Sequence, residues 1–88
     1  MKIVFTEPFK KDYESVTPQV QRALNKALKF LLNNPYHPSL HTKKLPGTSI
    51  WYARITRAYR FTFQFEKEEI ILRCTGTHDI LARERKTS

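Results

Sequence analysis

Arg54, Arg60 and Arg73, with His78 just beyond them, are the side chains whose types and spacing best suit chemistry. Alternation places the arginines on one face of a sheet. In Trp51-Tyr52-Ala53-Arg54-Ile55 the apolar residues sit at odd positions, and from Tyr59 to Phe65 they do so strictly, as in half-buried strands. From Glu69 to Thr75 the apolar face reads as Ile70, Leu72 and Cys74. With the odd faces of the first two strands on the core, a short turn at 56–58 sets Arg54 across from Arg60. A turn at 66–68 sets Arg73 close to Thr62, one strand over. Like charges directly opposite one another destabilise a sheet by about 0.2–1 kcal/mol. A sheet that keeps them has a use for them on an anion.

The chemistry these residues suit is binding and cleaving a phosphodiester. Arg60 can grip a phosphate with a bidentate fork, with Arg54 beside it. Preorganised charge of this kind is commonly the larger part of catalysis. A histidine titrates near neutral pH and serves there as acid or base, which is the role open to His78. Asp79 has two readings: it orients His78, or it caps a final helical turn, the commoner role. Tyr59 points to the core by parity, where its packing would fix Arg60. Cys74, on the apolar face, reads as a buried small hydrophobe rather than a nucleophile.

Several elements must hold these residues in place. Lys2–Thr6 reads as a short strand and Pro8–Tyr13 as a short helix. Thr17 caps a longer helix from Pro18, because Val20, Ala23, Leu24, Ala27, Leu28 and Leu31 recur at three- and four-residue spacing. Asn33-Asn34-Pro35 ends it. The stretch from Pro35 to Gly47 reads as a basic loop anchored by Leu40 and Leu45. Its Lys43 and Lys44 are candidates for phosphate contact, against the commoner reading of solvated loop lysines. Its histidines lack the second ligand pair a zinc site needs. Residues 82–88 read as a loose polar tail. Strands and helices are segregated, which predicts an α+β domain spanning 1–88, with helices packed on a mainly antiparallel sheet that ends in a three-stranded meander. Whether the first strand joins it parallel or antiparallel is open.

The chain has 88 residues, enough for one small domain. Lys plus Arg number 16 against 8 Asp plus Glu, for a net charge of +8, which calls for an acidic partner. No segment pairs a strong apolar stripe with a basic face, so a membrane surface fits poorly. The opening Met1–Phe5 is broken by Thr6, Glu7 and Pro8, unlike a signal peptide, and the one cysteine cannot form an internal disulfide. These features predict a cytoplasmic protein.

Taken together, His37-Pro-Ser-Leu, Lys43-Lys44-Leu45-x-Gly47, Trp51-x-Ala-Arg54, Tyr59-Arg60-x-Thr-Phe63 and Gly76-Thr77-His78-Asp79 resemble the RelE/ParE toxin superfamily, with the RelE-like mRNA interferases as the nearest branch. The resemblance covers almost the whole chain. It implies a toxin of a bacterial type II toxin–antitoxin system, acting as a ribosome-dependent mRNA endonuclease through the RNA 2′-hydroxyl. No metal or other cofactor is implied. The implied partners are a cognate antitoxin, the ribosome and mRNA. It places catalysis on Arg60, Arg54 and His78; Asp79, beside His78, joins them as a catalytic candidate, and Lys43, Lys44, Arg73 and Tyr52 are the RNA-binding candidates by their own charge and position. One departure stands out: no aromatic follows His78, where many members carry one to stack on a base, and Tyr52 is the candidate replacement. The alternatives are a ParE-like gyrase inhibitor and an inactive homologue that only binds antitoxin.

Overall fold

The computed structural model describes residues 1–87. The elements run β1 (Lys2–Phe5), α1 (Glu7–Ser15), α2 (Pro18–Asn33), a 3-10 turn (Pro38–Leu40), β2 (Lys43–Lys44), β3 (Trp51–Arg54), β4 (Tyr59–Glu66), β5 (Glu69–Thr77) and α3 (Ile80–Thr87). The architecture is α+β, as the segregated pattern predicts. Both early helices start at a threonine cap followed by proline. Thr6 Oγ1 accepts from the Phe9 N–H at 3.4 Å, and Thr17 Oγ1 accepts from the Val20 N–H at 3.3 Å. Thr6 also donates to the Leu72 carbonyl at 2.7 Å, which ties the start of α1 to the sheet.

The sheet order is β1-β5-β4-β3-β2. β1 lies parallel to β5, with Ile3 opposite Ile70 and Phe5 opposite Leu72. Every other pairing is antiparallel. Lys43 and Lys44 are not in a loop: they form an edge strand against Tyr52 and Trp51.

One face of the sheet carries the main core. Ala53, Phe61, Phe63, Ile70 and Leu72 meet Phe9, Leu24, Ala27 and Leu31 from the helices. This follows from strict alternation on β4 and the apolar stripe on α2. The opposite face has its own smaller cluster, in which Leu45, Ile50 and Cys74 pack against Ile80 and Leu81 of α3. Two corrections to the sequence reading meet here. Residues expected as a loose tail from Ala82 are helical through Thr87, while Ser88 lies outside the described residues. Cys74 is buried, but not on the main core face. The β4–β5 register shifts between Thr62 and Phe63, so Leu72 faces Phe63 while Cys74 faces Thr62. Arg73 is the extra residue of that bulge, and it turns Cys74 over.

Gly76 completes the second face. A Cβ there would come within 2.9 Å of Ile80 Cγ2, so the first turn of α3 rests on bare backbone. Among the described residues no helix is long and apolar enough to cross a membrane.

Candidate nucleic-acid interface

Three strands set the cationic row. Arg54 and Arg60 are direct cross-strand partners, and Gly76 faces Arg60 from the other side. The adjacent row on the same face runs Lys43, Tyr52, Thr62, Cys74. The predicted juxtaposition of Arg54 and Arg60 is therefore present. Both are half-buried.

The turn between β3 and β4 locks this row. Its Thr56 Oγ1 accepts from the N–H groups of Ala58 and Tyr59, both at 3.3 Å, and the Ile55 N–H donates to the Tyr59 carbonyl at 3.0 Å. Arg60 folds back onto the turn. Its Nη1 donates to the carbonyls of Thr56 at 2.7 Å, Tyr59 at 2.9 Å and Arg57 at 3.2 Å. Among the described residues its Nη2 and Nε have no protein acceptor and remain open to an anion. The same turn holds His78, whose N–H donates to the Ala58 carbonyl at 3.1 Å. Arg60 and His78, distant in sequence, are thus fixed by one short segment. The His78 side chain is exposed.

The cations repel one another. Burial, and then the charge of Arg54, hold the Arg60 guanidinium below its usual range. Replacing Arg54 with glutamine should accordingly stabilise the fold by about 0.2–1 kcal/mol. Denaturant midpoints of the two proteins test this. A lower midpoint for the variant would mean that Arg54 serves packing rather than a ligand.

The fold matches solved structures along nearly its whole length. It is similar to a YoeB/ParE toxin from Agrobacterium tumefaciens, at 21% identity and TM-score 0.75, over 89% of this chain and 99% of that one. It is similar to the RelB–RelE antitoxin–toxin complex from Methanococcus jannaschii, at 18% identity and TM-score 0.75, over 92% of this chain and 96% of that one. The chain has the RelE/ParE toxin fold. YafQ from E. coli strain BL21(DE3) is a further neighbour, at 17% identity and TM-score 0.71, over 91% and 96% of the two chains. No protein-family model matches the chain. No curated protein matches it either.

On this toxin fold the remaining sequence-derived residues take varied positions. Lys43 and Lys44 are exposed on the β2 edge. Tyr52 is half-buried against the second cluster, in the row beside Arg54 and Arg60. Asp79 is exposed, and among the described residues its carboxylate bonds neither His78 nor a helix N–H. Arg73 does reach the vicinity of Thr62, but it is engaged: Nε meets Glu84 Oε2 at 2.7 Å and Nη1 meets Gln64 Oε1 at 2.7 Å. His37 is structural, stacked on Phe30 at 4.3 Å and accepting from the Ser39 N–H through Nδ1. Glu84 is the residue the sequence reading missed. It is only 6% exposed. Its spacing from Ile80 and Leu81, four and three residues, was the available signal that it shares their buried face.

Proposed function

We propose that this chain is the toxin of a type II toxin–antitoxin system, and that it is a ribosome-dependent mRNA endonuclease cleaving through the RNA 2′-hydroxyl without a metal. The observation that carries the reading is the β3–β4 turn, which holds Arg60 and His78 together beside Arg54. In this reaction the 2′-oxygen attacks phosphorus, gives up its proton, and the 5′-oxygen leaves with one. Arg60 and Arg54 bind the phosphate and offset the charge that builds on it. His78 moves one of the two protons. Lys43 and Tyr52, in the adjacent row, hold a flanking nucleotide, with Lys44 at the edge. Asp79 contributes by its charge next to His78. Arg73 acts through Glu84 and Gln64 rather than by direct grip. The RelB–RelE complex among the neighbours supports a cognate antitoxin as partner. The toxin acts in the cytoplasm, where ribosomes and messages are.

Expression of the chain in bacteria should arrest growth and cut translated messages within the ribosomal A site, read by primer extension on total RNA. Arrest with intact messages would overturn the endonuclease reading. A second reading rests on the absence of any aromatic from Asp79 to Ser88, which leaves base stacking to Tyr52. It makes the chain either a ParE-like gyrase inhibitor or an inactive homologue that binds antitoxin. DNA breaks with unaltered RNA would favour the gyrase target, and no arrest of any kind would favour the inactive form.

A further inference from the structure

We propose that Glu84 is a positioning residue for His78, acting by seating α3 on the sheet. The inference rests on the endonuclease reading above for its catalytic consequence, but its structural content stands on the geometry alone.

A carboxylate is rarely buried unless it is paired and hydrogen-bonded. Glu84 meets that condition through two strands. Its Oε2 accepts from Thr62 Oγ1 on β4 at 2.9 Å and from Arg73 Nε on β5 at 2.7 Å. Its Oε1 accepts from Arg73 Nη2 at 3.4 Å. The network continues outward, because Arg73 Nη1 donates to Gln64 Oε1 at 2.7 Å and Gln64 Nε2 donates to Ser49 Oγ at 3.0 Å. The bulge that displaces Arg73 from the regular ladder is what brings its guanidinium to this carboxylate.

Helix α3 depends on such an anchor. It has 8 residues, too few to hold as a helix by itself in water. Its buried apolar side chains, Ile80 and Leu81, both lie in its first turn. One turn later the buried contact is Glu84. The Arg83–Asp12 pair, at 3.8 Å, joins a mostly exposed guanidinium to a half-buried carboxylate and adds a further tie.

His78 sits at the junction this anchor controls. On one side its N–H is bonded to Ala58 in the β3–β4 turn at 3.1 Å. On the other its carbonyl accepts from the Leu81 N–H of α3 at 3.2 Å. With α3 seated, both backbone groups are fixed and the imidazole has a defined origin relative to Arg60. With α3 released, one tie remains and the residue swings about it.

The test is a double-mutant cycle in single-turnover cleavage on ribosomes carrying a short message. Glu84→Ala should lower the maximal rate about 10-fold or more, since misplacement of a reacting group by an ångström is worth up to about 10²-fold. The toxin concentration giving half the maximal rate should hold. In a His78→Ala background the same substitution should cost nothing further. Glu84→Gln, which keeps an acceptor for Thr62 and Arg73, should restore part of the rate. Equal losses in both backgrounds would reduce Glu84 to a general stabiliser and overturn the proposal. Amide hydrogen exchange supplies a measurement that needs no catalysis. Glu84→Ala should speed exchange at His78 and Leu81 while Phe61 and Phe63 stay protected; unchanged protection at His78 would overturn the proposal. Should His78→Ala cleave at the wild-type rate, the catalytic reading of His78 falls, and the exchange experiment alone decides whether Glu84 holds that segment.

Discussion

Replacing His78 with alanine should lower message cleavage by about 10²–10⁴-fold, the usual worth of a general acid or base, and should restore growth to cells expressing the chain. The fold should not suffer. The His78 ties are both through its backbone, and its side chain is exposed. A thermal melt beside the cleavage assay separates the two effects. Wild-type cleavage by a folded His78→Ala protein would remove the imidazole from the mechanism. Arg60 is a less clean target, because its Nη1 also satisfies three carbonyls of the β3–β4 turn. Truncating it would loosen the turn that holds His78. Arg60→Lys is the better probe: it keeps a charge and loses the planar fork, so it reports on bidentate grip.

How far these residues could be read in advance depended on how each strand buries its faces. On β4 one face is wholly apolar, so Tyr59 to Phe65 alternate strictly, and Arg60 could be placed opposite Arg54 from parity alone. On β5 the run Ile70-Ile71-Leu72-Arg73-Cys74 is nearly continuous in apolar residues, and nothing in it marks an added residue. The bulge therefore went unseen, and with it the transfer of Cys74 to the second face. β2 has two residues, too short for any period to show. The direction of β1 was illegible for a different reason: its side chains report which face they bury, not which neighbour they pair with. Helix α3 was hidden by composition. Arg83, Glu84, Arg85 and Lys86 read as solvated, because the groups that neutralise Glu84 lie on strands 11 and 22 residues away. A charged residue becomes a core residue only when its partner is known.

Association with the cognate antitoxin should slow by about 10-fold or more between low and physiological ionic strength. The chain carries +8, and Arg54, Arg60, Lys43 and Lys44 lie on or beside one face of the sheet. An acidic, amphipathic antitoxin segment would be drawn to that face, and beyond a Debye length of about 8 Å salt screens the attraction. Equilibrium binding should weaken by that same factor and no more. A groove of about 390 Å³ between α1, α2 and the β1 edge is lined by Phe5, Phe9, Tyr13 and Leu28, with Phe5 48% exposed. Apolar burial there is indifferent to moderate salt, so the dissociation rate should change little. A segment that folds as it binds can reach both surfaces at once. The measurement is association and dissociation rates against ionic strength with purified antitoxin. An association rate independent of salt would remove electrostatic steering. Full binding by an antitoxin stripped of its acidic residues would do the same. A dissociation rate that rises as steeply as the association rate falls would instead put the whole interface on charge and leave the Phe5 groove without a role.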